Sequence, residues 1–301
     1  IILFKEIYTR RKMANNGHGH HGAANLTPEQ QKQMIEQELR LFEHMKNIKY
    51  KIAVMSGKGG VGKSTVAANL AEAFQKKGLL TGILDADIHG PNIPKMLGVE
   101  GKDVMIEHGE MIPVMSNNGI KVMSMGFLID SQDTPIIWRG PQKSGSIKQF
   151  MADTAWGDLD VLIIDNPPGT GDEPLTVLQA LPNVDAVIMV TTPNSLSQED
   201  VLKCVGMVKM LNIEDIGLIE NMSYYVCPHC GEKTNIFGES QGEKFATDMG
   251  VVYLGNLPLT EQVPESANQD STMVNSYADS EVSQKFSEII DNIKLAFLDD
   301  D

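Results

Sequence analysis

Apolar residues in this chain come in short runs separated by longer amphipathic stretches. Ile52-Ala53-Val54-Met55, Val161-Leu162-Ile163-Ile164 and Ala186 to Val190 are continuous rather than alternating, the pattern of strands covered on both faces. Thr81 to Leu84, Ile216 to Ile219 and Val251 to Leu254 read as further strands. Helical patterns occupy residues 64–77, 174–181, 197–211, 240–249 and 280–297, and Ile147 to Met151 falls in another helix. Strands alternating with helices predict an α/β fold, a mostly parallel sheet flanked by helices on both faces. Residues 102–125 interrupt the rhythm and read as a small β insertion, with a turn at His108-Gly109 and a strand over Ile120 to Met125.

The first part of the chain follows other rules. Residues 1–12 are apolar and then basic, the reverse of a secretory signal, and Met13 reads as the native start. Residues 13–26 are rich in Gly, Asn and His, so 1–26 are expected to be a disordered or non-native segment. His18, His20 and His21 read as part of that solvated tail. Thr27-Pro28-Glu29-Gln30 combines an N-cap, a proline at the first helical position and a capping-box glutamine. It predicts an N-terminal helix within 27–48, with Met34, Ile35, Leu39, Phe42 and Met45 available for one face. The remaining residues, 49–301, are expected to form one domain.

Charge narrows the partners. The net charge of −15 repels phosphate backbones and anionic lipid, which argues against nucleic acid and membrane. No stretch reaches the roughly 18 apolar residues of a spanning helix, so a cytoplasmic protein is expected.

The strongest chemical signal follows the first strand. Gly57-Lys58-Gly59-Gly60-Val61-Gly62-Lys63-Ser64-Thr65 fits the phosphate-binding loop, in the strand–loop–helix context that the motif requires. Its glycines let backbone N–H groups turn inward on a polyphosphate, and the new helix adds its positive end. Lys63 is expected to reach the terminal phosphates of ATP, and the Ser64 hydroxyl to ligate Mg²⁺. Two carboxylate-bearing strand ends face the same crevice, Asp85-Ala86-Asp87 after the second strand and Asp165 after Val161 to Ile164. Asp165 completes a Walker B pattern and is expected to act on Mg²⁺ directly or through a bound water. Pro167-Pro168-Gly169-Thr170-Gly171-Asp172 follows as a stiff, glycine-hinged loop suited to sensing a γ-phosphate.

Lys58 resembles the signature lysine of the deviant Walker A group, whose early lysine reaches the nucleotide of a partner subunit. By the same resemblance Asp87 positions or activates the attacking water and Asp85 lies near the metal. Asp85-Ala86-Asp87-Ile88-His89-Gly90-Pro91-Asn92-Ile93-Pro94, Trp138-Arg139-Gly140-Pro141, Pro167 to Asp172 and Glu220-Asn221-Met222-Ser223 followed by Cys227-Pro228-His229-Cys230 resemble the Mrp/ApbC family. These are ATP-binding iron–sulfur cluster carriers, and the resemblance runs from about Lys51 to Pro264. It implies slow ATP hydrolysis, a homodimer, transfer of a [4Fe–4S] cluster to apo iron–sulfur proteins, dealings with cluster-assembly machinery, and an adenine contact from Asn221. Asn166 departs from the small residue, threonine or methionine expected after Asp165, and a four-cysteine N-terminal motif is missing.

Cys227 and Cys230 supply two thiolates where a cubane cluster or a tetrahedral zinc wants four ligands. Cys204 lies in an apolar helical stretch and reads as a buried structural thiol. A second subunit is the economical source of the missing pair, and the resemblance implies the same two-fold arrangement around one [4Fe–4S] cluster. Pro228 and Gly231 suit a tight turn that aims both sulfurs one way and denies the loop ordinary strand pairing. His229 reads as a solvated loop position. Zinc at the dimer axis is the competing occupant, and a positioning ATPase of the MinD/ParA type is the alternative function. The last helix, with Lys285 and Lys294 and an Asp299-Asp300-Asp301 tail, makes a poor lipid anchor.

Overall fold

The computed structural model describes residues 27–128 and 140–298. The chain divides into two compact units, residues 1–39 and 40–301. Helix α1 (Pro28–Met45) begins in the first. There Thr27 and Gln30 cap each other reciprocally, at 2.9 and 3.3 Å. Its last turns belong to the second unit, where Leu41 and Met45 are buried.

The second unit alternates strand and helix. Strand β1 (Ile48–Ser56) leads into α2 (Lys63–Lys76), β2 (Thr81–Asp85) and the short α3 (Ile93–Met96). Then come β3 (Met105–Glu107), β4 (Glu110–Ile112), β5 (Val114–Met115), β6 (Lys121–Ser124) and a 3-10 turn, Met125–Leu128. Helix α4 (Gly140–Asp153), β7 (Leu159–Asp165), α5 (Asp172–Ala180), β8 (Ala186–Thr191), α6 (Ser195–Met210) and β9 (Ile216–Glu220) continue the alternation. The pair β10 (Tyr225–Val226) and β11 (Lys233–Thr234) precedes α7 (Gly242–Met249) and β12 (Val252–Asn256). Helices α8 (Gln262–Asn268), α9 (Met273–Ser276) and α10 (Glu281–Phe297) complete the described chain.

Eight strands form one sheet in the order β12-β9-β8-β1-β7-β2-β6-β5, and every pairing in it is parallel except β5 with β6. Adjacent residues of β1 face opposite cores. Ile52 and Val54 pack with α2 and α10, and Ala53 and Met55 pack with α4 and α6. This two-sided burial is why the run carries no polar residue. Among the described residues no helix is long and apolar enough to cross a membrane.

The insertion is smaller than its pattern suggested. β3 and β4 form a separate hairpin, but the strand expected over Ile120 to Met125 joins the main sheet parallel to β2. Val122, Met123 and Ser124 are buried there, and a run buried on both faces needs a sheet neighbour. Of the Trp138-Arg139-Gly140-Pro141 motif, Trp138 and Arg139 lie outside the described residues.

Sheet register sets the site. Asp85 stands opposite both Asp165 and Ser124, and Val54 stands opposite Asp165. Two carboxylates are therefore abreast at the carboxyl edge of the sheet, where β1 hands over to the glycine loop.

Candidate functional site

The loop from Gly57 to Gly62 needs its glycines for two different reasons. Gly60 and Gly62 have φ of 82° and 84°, a left-handed backbone that disfavours side chains. Gly57 is a packing requirement, because a Cβ there would lie 2.5 Å from the carbonyl carbon of Asp200 in α6. Val61 is buried, Gly59 and Gly60 are exposed, and the half-buried Lys58 accepts a 2.9 Å bond from Ser56 Oγ at its carbonyl. Ser64 and Thr65, in the first turn of α2, are half-buried.

Beneath the loop, charge is crowded. Lys63 Nζ is 2.6 Å from Asp165 Oδ1 and 3.2 Å from Ser64 Oγ. Asp85 is fully buried, accepting 2.9 Å from Ser124 Oγ, 3.2 Å from the Asp87 amide and 3.4 Å from the Ile93 amide. One buried ammonium thus serves two buried carboxylates. Burial, and then the charge of Asp165, push the Asp85 carboxyl well above the usual range. Burial also raises Asp165, against the pull of Lys63. Asp165 Oδ2 is buried without a hydrogen-bond partner. An orphaned carboxylate oxygen, a neighbouring hydroxyl at Ser64 and a shortage of positive charge fit a hard divalent cation. Asp87 is half-buried, and its Oδ1 is held by the His89 and Gly90 amides at 3.0 and 3.3 Å.

Asn166 and Cys204 support the glycine-hinged loop from below. Asn166 is buried and donates 3.3 Å to the Pro174 carbonyl, so the departure from a small residue clasps the loop to α5. Cys204 is buried as expected, and its thiol lies 3.5 Å from the Gly169 carbonyl and 3.8 Å from that of Ser56. Burial pushes this thiol up to about 11, which suits packing and not ligation.

Beside Gly62 opens a cavity of roughly 300 Å³ whose walls are largely apolar. Thr65 and Asn221 line it beside the phosphate loop, and Tyr225, Leu259 and Glu261 line it from the chain beyond β9 and β12. A flat heteroaromatic base fits such a slot next to a phosphate loop. Asn221 donates 2.9 Å to the Val61 carbonyl and fills the space that a Cβ on Gly62 would need, 2.3 Å from its Nδ2. Sequence reasoning found Asn221 and missed Tyr225, Leu259 and Glu261. The available signal was their position just beyond the carboxyl ends of β9 and β12, where open parallel sheets place ligands.

The thiol loop is a hairpin tip. Val226 pairs with Lys233 and Tyr225 with Thr234, so strand pairing reaches the residue before Cys227, contrary to expectation. Pro228 and Gly231 deny pairing only to the turn itself, which closes with the Cys227 amide on Glu232 (3.0 Å) and the Gly231 amide on Cys227 (2.9 Å). Cys227 is half-buried, Cys230 and His229 are exposed, and both thiols are free. Backbone amides of Cys230 and His229, with the Cys230 thiol, lower the Cys227 thiol below its usual range. A lowered thiol holds more of the thiolate, the form that can ligate a metal. Among the described residues no group of three or more His, Cys, Asp or Glu is placed to hold a metal ion.

The hairpin is tied down at its base. Tyr224 donates 2.8 Å to Glu281 of α10, Lys233 reaches the same oxygen at 3.1 Å, and the Lys233 ammonium lies 4.4 Å from the Tyr224 ring centre. On the return path the buried Glu220 accepts from Ser223 (2.9 Å), from the Ser240 hydroxyl and from the Gln241 amide (3.2 Å).

A family model described as ParA: NUBPL iron-transfer P-loop NTPase matches residues 47–294. The iron-sulfur cluster carrier protein of Methanocaldococcus jannaschii is 49% identical over 269 residues, 89% of this chain and 92% of its own. A solved nucleotide-binding protein from Archaeoglobus fulgidus, in complex with ADP, shares 37% identity with a TM-score of 0.71, over 83% of this chain and 96% of that one. The MinD cell division protein of Aquifex aeolicus, at 19% identity and a TM-score of 0.58 over 81% of this chain and 96% of its own, shares the fold.

Proposed function

This chain belongs to the NUBPL-type iron-transfer branch of the ParA P-loop NTPases, an ATP-hydrolysing fold, and from that we propose that it carries a [4Fe–4S] cluster between two subunits under the control of ATP. The observation that carries the proposal is the hairpin tip. Two free thiols, the half-buried Cys227 and the exposed Cys230, supply half the ligands of a cubane cluster. A second copy, related by a two-fold axis, brings the other half. The cluster is cargo, and its exposed seat suits hand-over to apo iron–sulfur proteins.

At the other end, ATP lies with its base beside Asn221 and its phosphates in the cradle of residues 57–64. Lys63 exchanges Asp165 for the terminal phosphates. Ser64 and Asp165 would hold Mg²⁺, with Asp85 next to them, and the chemistry it would supply is neutralisation of phosphate charge. Asp87 orients the attacking water, and Lys58 extends to the nucleotide of the second subunit. Binding and slow hydrolysis then change the dimer geometry around the thiol pairs, which gates loading and release.

Anaerobic reconstitution with iron and sulfide tests the reading. The protein should gain about four irons per dimer with a matching sulfide content. Failure to do so, or full retention in a Cys227→Ala/Cys230→Ala variant, rules it out. Zinc on the same four thiolates, without sulfide or visible absorption, would point instead to a structural clip in a MinD-like positioning ATPase.

A further inference from the structure

The base cavity and the thiol hairpin share a wall. Beyond the ends of β9 and β12 the two strands keep pairing. The Leu257 amide donates to Glu220 (2.9 Å), the Ser223 amide to Leu257 (3.0 Å) and the Leu259 amide to Tyr224 (2.7 Å). Tyr225 and Leu259 then meet in a parallel bridge. Asn221 fastens the start of this ladder to the phosphate loop through Val61. From a side chain on the loop to the first thiol, the path runs only from residue 221 to residue 227.

Side chains close the ladder. Consecutive tyrosines reach two carboxylates, Glu261 in the wall of the cavity and Glu281, the sequence neighbour of a wall residue. The Tyr225 hydroxyl donates 3.2 Å to Glu261 Oε1, and both residues line the cavity. The Tyr224 hydroxyl donates to Glu281, whose neighbour Val282 also lines it. Tyr225 and the Leu259–Glu261 segment both line this slot, and both belong to the ladder that leads to the stem. The wall of the slot is thus continuous with the stem that carries Cys227 and Cys230.

We infer that Tyr225 and Glu261 are positioning residues that make the pose of the cysteine hairpin depend on whether the base cavity is filled. Their hydrogen bond joins the wall to the stem, so that filling the cavity orders the turn from Cys227 to Gly231. The inference rests on the cavity being the base site of the proposed function, and it does not depend on which metal the thiols hold.

Amide hydrogen exchange over 224–234 tests it, using the reduced, metal-free full chain with and without Mg·ATP. ATP should slow exchange of this segment about fivefold or more, a coupling of ordinary size. Tyr225→Phe removes only a hydroxyl, and Glu261→Ala removes the acceptor. Both should lose most of that response when ATP is raised until occupancy, read by equilibrium dialysis, equals that of the parent. Glu261→Gln keeps an acceptor oxygen and should keep the response, which a merely structural role would not predict. An unchanged hairpin on ATP binding in the parent protein overturns the inference. So does a full response in Tyr225→Phe and Glu261→Ala. Iron reconstitution is read separately, so a chain that fails to bind a cluster and still shows the response refutes the carrier reading alone.

Discussion

The crevice under the phosphate loop and the cysteine hairpin are held by opposite means. In the crevice, position comes from sheet register, and the functional groups are buried charges that the fold must neutralise: Asp85, Asp165 and Lys63. At the hairpin, the functional groups are a half-buried and an exposed thiol on two residue pairs of strand, steadied by tyrosine–carboxylate contacts. Removing one charge from the first end leaves another buried and unpaired, at a cost to the fold. The second can lose its function and leave the fold intact.

Removing Lys63 is the hardest test of that contrast. Lys63→Ala leaves two buried carboxylates without a counter-charge and should cost about 3–5 kcal/mol in urea unfolding, along with ATPase activity. Lys63→Ala/Asp165→Asn should recover most of the stability and none of the activity. Equal stability of the single and double variants would show that the pair is not what holds the crevice. Gly57→Ala should cost about 1–3 kcal/mol, read in the same way, because its Cβ meets the backbone of α6. A smaller loss would mean that α6 yields easily.

A buried carboxylate outside the crevice sharpens the comparison. Glu72 of α2 is buried, bonds Asn118 at 2.9 Å and has its second oxygen without a partner. Burial raises its carboxyl above 4.5. An acid raised in the folded state stabilises the protein below its unfolded value, and that contribution is lost as pH rises through the folded value. Glu72→Gln should therefore stabilise the protein by on the order of 1 kcal/mol at neutral pH, with the gain vanishing as pH falls towards 4.5. A gain that persists at low pH would assign the effect to packing. The smallest change in stability is expected at the hairpin. Cys227→Ala/Cys230→Ala should move stability by no more than about 0.5 kcal/mol while abolishing iron loading. A larger loss would make the thiols part of the fold.

These ends also differ in how much of them could be read in advance. The phosphate loop, Asp85 and Asp165 were legible because their positions follow from local pattern, an apolar run ending in glycines or a carboxylate. β6 was misplaced because its partner β2 lies far away in sequence and its length suits a hairpin equally well. The cavity wall beyond β9 and β12 was legible only as two separate strand ends, for a related reason. Tyr225, Leu259 and Glu261 form a surface only when the chain beyond β9 pairs with the chain beyond β12, and no spacing in either segment records the other. Asn166 stood out as a departure, but its clasp on Pro174 depended on where α5 came to rest.

The central strand has a consequence for how the protein is made. β1 pairs only with β7 and β8, at register positions such as Ile52 with Ile163 and Ile52 with Ala186. A ribosome that has finished Ser56 must still produce residues 57–158 before the first of those partners emerges. At ordinary elongation rates that is on the order of 5–20 seconds. Throughout it, a strand whose Ile52 to Met55 run is fully buried in the finished fold has no place to pair, which makes this interval the moment when a chaperone has most to protect.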